Sequence, residues 1–381
     1  MYAAKRPLRR PAIFLLILAS YLLIACGTSG TNTNWPGLST DGEKVYVAYG
    51  PGVIAYNVAE QKQDWFFPQE ASRTLQFFAA PSVENGRVIF GDFGASGGLT
   101  NPKIIVTLYA LDESGQGYPN TLWARNDIVS DRVVASPLQI GDRVYVGTAN
   151  NFLIALDATN GDEKWRFETG HSIWGRPAYK DGVLFVASMD KTIYALEAET
   201  GQELWHTGLG GALASSPVTN TNLVYVASFD GRLHALDMTT GSEVWSAGAE
   251  DWIWDSPAFA DGVVYYADIK GNVYAVDGET GSQIWTQQIG QAIQTSPVVV
   301  GDKVYIAAQG DINVEMPQGT LTALDTATGE QVWQVTAPAS LYTTPVVVGS
   351  DIIVALQSES ALLIGFDLET GSQQWVFAPP Q

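Results

Sequence analysis

Apolar and polar residues alternate in short runs along most of the chain, and residues 224–245 show the pattern in its most regular form. There the sequence reads VYVASFDGRLHALDMTTGSEVW, with an alternating run on either side of Asp230-Gly231. Alternation with a period of two is typical of half-buried strands, and Asp-Gly between two such runs predicts a tight hairpin. The predicted strands of this unit are 217–219, 224–228, 233–237 and a short strand around Trp245.

The same unit recurs along the chain, marked by an acidic residue eight positions before a tryptophan and a glycine four positions before it. In the regular middle of the chain, successive tryptophans are 40 residues apart. The first unit is degenerate, with Asn57 in place of the acid, and the second has three extra residues after Asp112. The tryptophans that define the eight units are Trp65, Trp123, Trp165, Trp205, Trp245, Trp285, Trp333 and Trp375.

A unit of four short strands cannot bury its own faces, so copies of it must stack on one another. Four-stranded units of about 40 residues, repeated four to eight times, are typical of a β-propeller. A β-sandwich has no reason to repeat, and the repeats of a β-helix are shorter. The sequence therefore predicts an all-β fold, an eight-bladed β-propeller of four-stranded antiparallel blades. It leaves open whether the two ends of the chain share a closing blade.

The pattern Ala-x-Asp-x-x-Thr-Gly-x-x-x-Trp, present at 235–245 and 323–333, resembles the tryptophan-docking motif of the PQQ-like β-propeller repeat family. The resemblance covers about residues 35–381 and implies that each tryptophan docks between adjacent blades, near the glycine of the neighbouring motif. A glycine allows a flat ring to approach the backbone closely. Because the first motif is degenerate, we expect Trp65 to contribute less to stability than Trp245.

Residues 1–25 combine a basic start with an apolar run, a pattern that predicts a secretory signal peptide. The sequence Leu-Ile-Ala-Cys ending at Cys26 resembles a bacterial lipobox, which implies cleavage before Cys26 and lipidation of its sulfur. Cys26 is the only cysteine, so no disulfide is expected in the mature chain. An ordinary signal peptide with an incidental cysteine is the alternative. The predicted parts are a lipoprotein signal peptide at 1–25, a lipidated cysteine and flexible tether at 26–34, and the propeller at 35–381.

Charge separates this chain from proteins that bind polyanions. It carries 40 acidic and 20 basic residues, a formal net charge of −20. Such a body repels nucleic acids and anionic lipid head groups. We therefore expect no nucleic-acid partner, contact with the membrane only through the lipid on Cys26, and a monomeric chain whose acidity serves solubility.

The sequence offers little that resembles a catalytic site. Its three histidines share no metal-ligand spacing, and no nucleophile elbow, phosphate loop or zinc motif is present. His234 occupies a third-strand position that Tyr194 and Tyr274 fill in other units, which predicts a packing role. The recurring motif aspartates are expected to hold turns. We predict no catalytic residue, no metal and no cofactor.

PQQ-dependent dehydrogenases resemble this propeller and are an alternative. Their alcohol-oxidising members use an adjacent cysteine pair and a calcium ion bound by Glu, Asn and Asp side chains. This chain has no cysteine pair and no haem attachment motif. The resemblance therefore gives PQQ-dependent catalysis less support than a binding role.

Aromatic residues recur three positions before the proline that opens each first strand. In a propeller the first strands surround the central channel, so these positions are predicted to ring its mouth. An aromatic funnel there would bind an extended peptide, a sugar or a small apolar ligand; alternatively the rings pack between blade tops. The positions are Phe78, Val134, Trp174, Ala214, Trp254, Gln294 and Tyr342. The predicted partner-binding residues are Phe78, Trp174, Arg176, Trp254, Asp255, Gln294 and Tyr342.

Two units carry long insertions. The second has extra residues at 93–105 and 113–120, which we expect on one rim of the propeller. The seventh has 310–319 in place of a two-residue turn. Long loops on a regular repeat often carry partner contacts, and neutral drift in a surface loop is the alternative.

In lipobox, single propeller, size and docking motifs, the chain is similar to the BamB-type outer-membrane assembly lipoproteins. This resemblance implies a lipid-anchored, extracytoplasmic and non-catalytic scaffold of the cell envelope that binds a protein or peptide partner. It would be attached to the outer membrane if the host has one, and otherwise to the outer face of the cytoplasmic membrane. The repeats alone leave a solute- or polymer-binding lipoprotein open as the alternative.

Overall fold

Strand is the only regular secondary structure in the described part of this chain. The computed structural model describes residues 36–70, 72, 75–96, 104–115, 117–311, 313–314, 317–358 and 360–378. The predicted signal peptide, Cys26 and the tether lie outside the described residues. Over the ranges given, no helix is long and apolar enough to cross a membrane. The described residues all belong to one unit, Trp35–Gln381.

The strands form eight four-stranded sheets, which confirms the predicted eight-bladed propeller. Within each blade the strands pair antiparallel in chain order, and every blade is built from its own four strands. Blades 1 to 4 consist of β1 Gly37–Thr40, β2 Lys44–Tyr49, β3 Gly52–Asn57 and β4 Lys62–Phe67; β5 Ser82–Glu84, β6 Arg87–Gly91, β9 Leu108–Asp112 and β10 Asn120–Arg125, with the inserted hairpin β7 Ala95–Ser96 and β8 Ile104–Ile105; β11 Leu138–Ile140, β12 Arg143–Gly147, β13 Phe152–Asp157 and β14 Glu163–Glu168; and β15 Ala178–Lys180, β16 Val183–Ala187, β17 Thr192–Glu197 and β18 Glu203–Gly208. Blades 5 to 8 consist of β19 Val218–Thr219, β20 Leu223–Ser228, β21 Arg232–Asp237 and β22 Glu243–Gly248; β23 Ala258–Ala260, β24 Val263–Ala267, β25 Asn272–Asp277 and β26 Gln283–Gln288; β27 Val298–Val300, β28 Lys303–Ala308, β29 Thr320–Asp325 and β30 Gln331–Thr336; and β31 Val346–Val348, β32 Asp351–Ala355, β33 Leu363–Asp367 and β34 Gln373–Phe377.

The first strands of the blades are the innermost ones, because they contact one another from blade to blade. β1 contacts β5 on one side and β31 on the other, so the ring closes between blade 8 and blade 1. Neither of these blades borrows a strand from the other end of the chain. The two ends of the propeller are therefore joined without a shared strand.

The hydrophobic core is divided into eight clusters, and each fills the seam between two successive blades. At the seam between blades 4 and 5, Phe185 and Ile193 share a cluster with Val224 and Val226. Each fully buried side chain of this kind contributes about 1.5–3 kcal/mol. A blade thus obtains its core from both neighbours, as the sequence repeat implies.

The propeller has two faces that carry different loops. The mouth face carries the turns between second and third strands and the segments that lead into each first strand; Phe229 N–H of one such turn donates to the Ala212 carbonyl of such a segment at 3.0 Å. The motif face carries the turns between third and fourth strands. The insertions at 93–105 and 310–319 follow second strands, so they begin at the mouth face. The insertion at 113–120 follows a third strand, so it begins at the motif face. The expectation that both insertions of blade 2 share a rim is wrong, because β9 runs across the blade between them.

Candidate functional site

Six of the eight predicted docking tryptophans meet the next blade in the same way. Each indole Nε1–H donates a hydrogen bond of 2.8–3.1 Å to a backbone carbonyl of that blade. The ring covers the motif glycine: a Cβ added to Gly281 would stand 2.5 Å from Cε3 of Trp245. Gly281 also has a φ of +69°, which residues with a side chain rarely adopt. The donor and acceptor pairs are Trp123 and Ala158, Trp165 and Ala198, Trp205 and Met238, Trp245 and Gly278, Trp285 and Thr326, and Trp333 and Leu368.

A tyrosine on the second strand supports four of these tryptophans, and it was not predicted from the sequence. The rings of Tyr225 and Trp245 lie 5.8 Å apart, and both side chains donate to the carbonyl of Gly278 at 3.0 Å. One carbonyl of the next blade is thus held by two donors. The signal was present in the sequence, since a Val-Tyr pair precedes the tryptophan by 20 residues in blades 3, 5 and 6. The tyrosines are Tyr145, Tyr225, Tyr265 and Tyr305.

The seam between blades 1 and 2 uses a carboxylate where the regular seams use a carbonyl. Trp65 Nε1–H and the Tyr46 hydroxyl both donate to Glu113, which directly follows Asp112 at the position whose carbonyl accepts in the regular seams. Lys44 Nζ lies 3.6 Å from the same carboxylate. Trp65 is only 4% exposed, so the degenerate motif does not leave its tryptophan more exposed than those of the regular blades. The carboxylate of Glu113 takes the place of the backbone carbonyl that accepts the indole hydrogen bond in the regular seams.

The closing seam between blades 8 and 1 differs again. Trp375 Nε1–H donates to Asp351 of its own blade at 2.7 Å, and the ring packs on Tyr56 of blade 1 at a centroid distance of 5.0 Å. The same ring covers Gly365 of its own blade, where an added Cβ would stand 2.3 Å from Cε2. Gln61 holds the position of the motif glycine in blade 1 and has a φ of +50°. Blade 1 therefore offers Trp375 an aromatic surface in place of a glycine.

Hydroxyl groups link the blades around the channel mouth, which gives the recurring Ser-Pro step a structural role. In three places the N–H of the residue before the proline donates at 2.9 Å to the hydroxyl of the equivalent residue in the next blade. Thr343 Oγ1 donates to the carbonyl of Pro36 at 2.6 Å and so crosses the closing seam. The donor and acceptor pairs are Arg176 and Ser216, Ser216 and Ser256, and Ser296 and Thr344.

A partly exposed aromatic stack lies on the mouth face between blades 5 and 6. The Phe229 ring lies 5.5 Å from the ring of Trp252 and 5.2 Å from that of Trp254, with interplanar angles of 16° and 27°. Trp252 is 48% exposed, and Trp174 is exposed on the equivalent segment of blade 4. Trp174 and Trp254 were predicted from the sequence, but Phe229 and Trp252 were not. Neither Phe229 nor Trp252 lies three positions before a first-strand proline, which was the position searched in the sequence. The signal that could have found them is the presence of three aromatic residues within the 26 positions from 229 to 254.

The other predicted funnel residues have separate surroundings. Phe78 packs edge-on against Phe93 at 4.9 Å. Asp255 accepts a hydrogen bond from Ser256 N–H at 2.7 Å and another from the hydroxyl of Thr344, in blade 8, at 3.0 Å. Asp255 thus takes part in the hydrogen bonds that link the blades around the channel mouth. The half-buried members of the predicted set are Phe78, Trp254, Asp255, Gln294 and Tyr342.

Arg176 lies at a cavity of about 390 Å³ between the innermost strands of blades 3 and 4 and the start of blade 5. The cavity is otherwise largely apolar, with Leu138, Ile140 and Pro177 in its lining. The side chain of Arg176 is exposed, yet desolvation by the surrounding protein lowers its pKa. The negative charge of Glu84, on the innermost strand of blade 2, opposes this shift. Arg176 therefore places a cation inside the central channel of an acidic protein.

Side chains of the kinds that commonly bind metal ions are not clustered in the described part of the chain. Among the described residues, no group of three or more His, Cys, Asp and Glu is gathered as a metal site would require. Of the two carboxylates at the channel, Asp255 already accepts from Ser256 and Thr344. The other, Glu84, interacts with the charge of Arg176.

His234 is buried between two carboxylates and behaves as the sequence position indicates. Its Nε2 lies 3.1 Å from Asp230 and its Nδ1 2.9 Å from Glu243. In blade 4 the Tyr194 hydroxyl donates to Asp190 at 2.7 Å, so tyrosine and histidine make the same contact to the turn carboxylate. His234 therefore belongs to the structure of its blade.

Together, the eight blades and their tryptophan seams define a β-propeller of PQQ-like repeats. The chain belongs to the family described as outer membrane protein assembly factor BamB, whose model matches residues 106–173, 170–252 and 230–376.

Solved structures share the fold. BamB from Moraxella catarrhalis is 21% identical, with a TM-score of 0.61, and the match covers 79% of this chain and 85% of that one. The computationally designed Ika8 protein is 16% identical, with a TM-score of 0.70 over 91% of this chain and 98% of its own. A europium-containing methanol dehydrogenase is 14% identical, with a TM-score of 0.66 over 79% and 78% of the two chains. At these identities the likeness shows the fold alone.

One curated relative is a probable quinate dehydrogenase (quinone) from Xanthomonas campestris pv. juglandis. It is 30% identical over 131 residues, which are 33% of this chain. The match spans only 14% of the length of that relative. The likeness therefore concerns a group of repeats and not the whole enzyme.

Proposed function

We propose that this chain is a non-catalytic, lipid-anchored scaffold of the cell envelope that binds a protein partner and takes part in outer-membrane protein assembly. Family membership supports the process, since the family is described by an assembly factor. The proposed anchor is the lipid on Cys26, the proposed compartment is extracytoplasmic, and the propeller is proposed to act as a monomer.

The observation that carries the binding role is the aromatic stack on the mouth face, in which Trp252 is exposed and Phe229 and Trp254 are half-buried. A group of aromatic side chains that is partly exposed often marks an interaction site, and Trp is enriched among residues that dominate binding energy. The insertions at 93–105 in blade 2 and at 310–319 in blade 7 also leave their blades at this face. The aromatic stack, these insertions and Trp174 thus lie on the same side of the propeller.

The test compares Trp174→Ala and Trp252→Ala with Trp245→Ala, a seam residue. If the mouth tryptophans bind a partner, each substitution should change the free energy of unfolding by less than about 1 kcal/mol. It should weaken binding by more than about 1 kcal/mol, or roughly fivefold, as a hot-spot residue does. The measurement is thermal unfolding of each variant, together with quantitative recovery of membrane-assembly proteins, identified by mass spectrometry, from solubilised envelopes.

Three outcomes would contradict the scaffold. Unfolding losses equal to that of Trp245→Ala, with recovery intact, would make the mouth tryptophans structural. Recovery of glycans or small solutes through the same tryptophans would favour the solute- or polymer-binding alternative, since a flat aromatic platform also suits such ligands. Activity in a dye-linked oxidation assay with added PQQ and calcium would favour the dehydrogenase.

The anchor has its own test. Cys26→Ser should release a soluble protein or leave unprocessed precursor, because the thiol that accepts the lipid is gone. Mass spectrometry of the wild-type chain should find a lipid on residue 26. An unmodified, freely secreted wild-type chain would exclude the anchor while leaving the partner-binding proposal standing.

A further inference from the structure

The outer edges of the blades carry backbone groups that a partner could use. The fourth strand ends each of the eight sheets, so its outward-facing N–H and C=O groups have no strand partner within the described residues. Such an edge is a template for pairing with another strand, and proteins guard it with charged side chains, proline or β-bulges. The protective features on each fourth strand therefore indicate which edges are prevented from pairing with another strand.

A bulge is present at all eight edges. The residue before each docking tryptophan is skipped in the register with the third strand, as Val332 is between Gln331 and Trp333. The bulge leaves the rest of the strand, from the tryptophan onward, in regular conformation. Because the bulge is common to every blade, charge is the guard that distinguishes one edge from another.

The fourth strands of five blades contain charged residues, and those of the other three blades do not. β4, β10, β14, β18 and β22 each contain at least one Lys, Arg, Asp or Glu, and β14, with the sequence EKWRFE, contains four. The strands β26 (QIWTQQ), β30 (QVWQVT) and β34 (QQWVF) contain none. These three belong to the successive blades 6, 7 and 8, and we call them the uncharged arc.

Each strand of the uncharged arc also exposes one aliphatic side chain. Ile284 is 47% exposed, Val332 49% and Val376 45%. The neighbouring exposed positions are Gln and Thr, which hydrogen bond without charge. An edge with unpaired backbone, β-branched side chains and no charge is the combination that natural proteins usually avoid.

We propose that the uncharged arc is a docking surface for an extended β-strand of another protein. Main-chain hydrogen bonds to the edge would supply affinity, and the exposed aliphatic residue would select an uncharged strand rich in Val, Ile or Thr. A second copy of this chain is not the occupant, because the full chain carries a formal net charge of −20 and two copies repel. The same negative charge disfavours an acidic segment, which agrees with an uncharged strand as the occupant. The surface lies on the circumference, formed by outermost strands, and is independent of the mouth face.

The test adds a probe strand, the acetylated and amidated peptide Thr-Val-Thr-Val-Thr-Val, to the full-length chain in detergent. Residue-resolved hydrogen–deuterium exchange is then measured with and without the peptide. Backbone amides of β26, β30 and β34 should exchange at least about threefold more slowly with the peptide, and those of β14 should not change. The same peptide methylated on alternate nitrogens cannot complete the ladder and should slow nothing.

Variants locate the effect. Val332→Lys combined with Thr336→Lys places charges on β30 and should abolish its protection while β26 keeps its own. The matched control is Leu204→Lys, at a 52% exposed bulge position on the charged strand β18, which should change nothing. All three positions are exposed, and equal thermal midpoints confirm that the variants fold.

Several results would overturn the proposal. They are protection spread equally over β14 and β18, protection that survives methylation of the peptide, and no protection of the uncharged arc at millimolar peptide. Light scattering that finds a dimer in wild type and a monomer in the Val332→Lys, Thr336→Lys variant would assign the edge to a second copy instead.

Discussion

From the seam between blades 2 and 3 to that between blades 7 and 8, each tryptophan meets a glycine and a backbone carbonyl of the next blade. On either side of blade 1 the tryptophan meets neither. Trp65 is held by the carboxylate of Glu113, and Trp375 by Asp351 of its own blade. The two regions bury the same indole with different partners.

The difference shows what the repeat constrains. A backbone carbonyl is available whatever residue carries it, so the regular seams accept Ala, Met, Gly, Thr or Leu at the acceptor position. The seams beside blade 1 depend instead on the particular side chains Glu113 and Asp351. A single substitution should therefore reduce the free energy of unfolding most at these two seams.

The largest expected effect comes from removing the indoles themselves. Trp245→Ala and Trp65→Ala should each reduce the free energy of unfolding by about 3–5 kcal/mol, as large-to-small changes in a core do. Trp65→Ala should lie at the upper end, because it also removes a donor from the buried carboxylate of Glu113, which costs about 1–3 kcal/mol. Denaturant unfolding midpoints of the two variants measure the order. A smaller loss for Trp65→Ala would mean that motif quality, and not burial, decides stability.

The glycine position provides a matched pair across the two regions. Gly281→Ala should lose about 2–4 kcal/mol, from a left-handed φ and from a Cβ that crowds the Trp245 ring. Gln61→Gly, at the equivalent position of blade 1, should stay within about 1 kcal/mol of wild type, because glycine adopts the φ of +50° more readily. Thermal unfolding of both variants checks this. Equal losses would show that blade 1 needs its side chain at this position.

A smaller effect should separate the two kinds of acceptor. Tyr225→Phe should cost about 0.5–1.5 kcal/mol, since Trp245 still donates to the Gly278 carbonyl. Tyr46→Phe should cost about 1.5–3 kcal/mol, because its hydroxyl contacts the carboxylates of Asp41 and Glu113 and bonds to charged groups are stronger. The free energies of unfolding of the two variants decide the comparison. The reverse order would indicate that Lys44 alone satisfies Glu113.

The repeat predicted the architecture because each unit must bury the same faces. The strands expected at 224–228 and 233–237 are Leu223–Ser228 and Arg232–Asp237 in the structure. The sequence did not reveal that Glu113 replaces a carbonyl, because its partner Trp65 is 48 residues away and the motif itself is missing there. Trp252 was overlooked because it lies outside the register of the first-strand prolines. The uncharged arc was present in the sequence, but only the sheet order identifies its strands as edges.

The smallest effect concerns acid, and it should distinguish the regular blades from blade 1. The motif carboxylates accept hydrogen bonds from turn N–H and hydroxyl groups, and these hold the pKa values of Asp237, Asp277, Asp325 and Asp367 below the ordinary value of 3.8. The contact to Lys164 lowers the pKa of Asp157 further, to about 2. A pKa lower in the folded than in the unfolded chain contributes stability above the unfolded value, and that stability is lost as pH falls through the folded value.

The turns of blades 3, 5, 6, 7 and 8 should therefore loosen as the pH falls from about 4 to about 2. The turn of blade 1 should not, because Asn57 caps it without titrating. Hydrogen–deuterium exchange of the turn amides, corrected for the intrinsic rate at each pH, measures this. Asp277→Asn should abolish the pH dependence in blade 6 alone and leave the other turns as matched controls. Loosening of the Asn57 turn in step with the others would show that acid acts on the ring as a whole, through its total charge, and not on the individual turns.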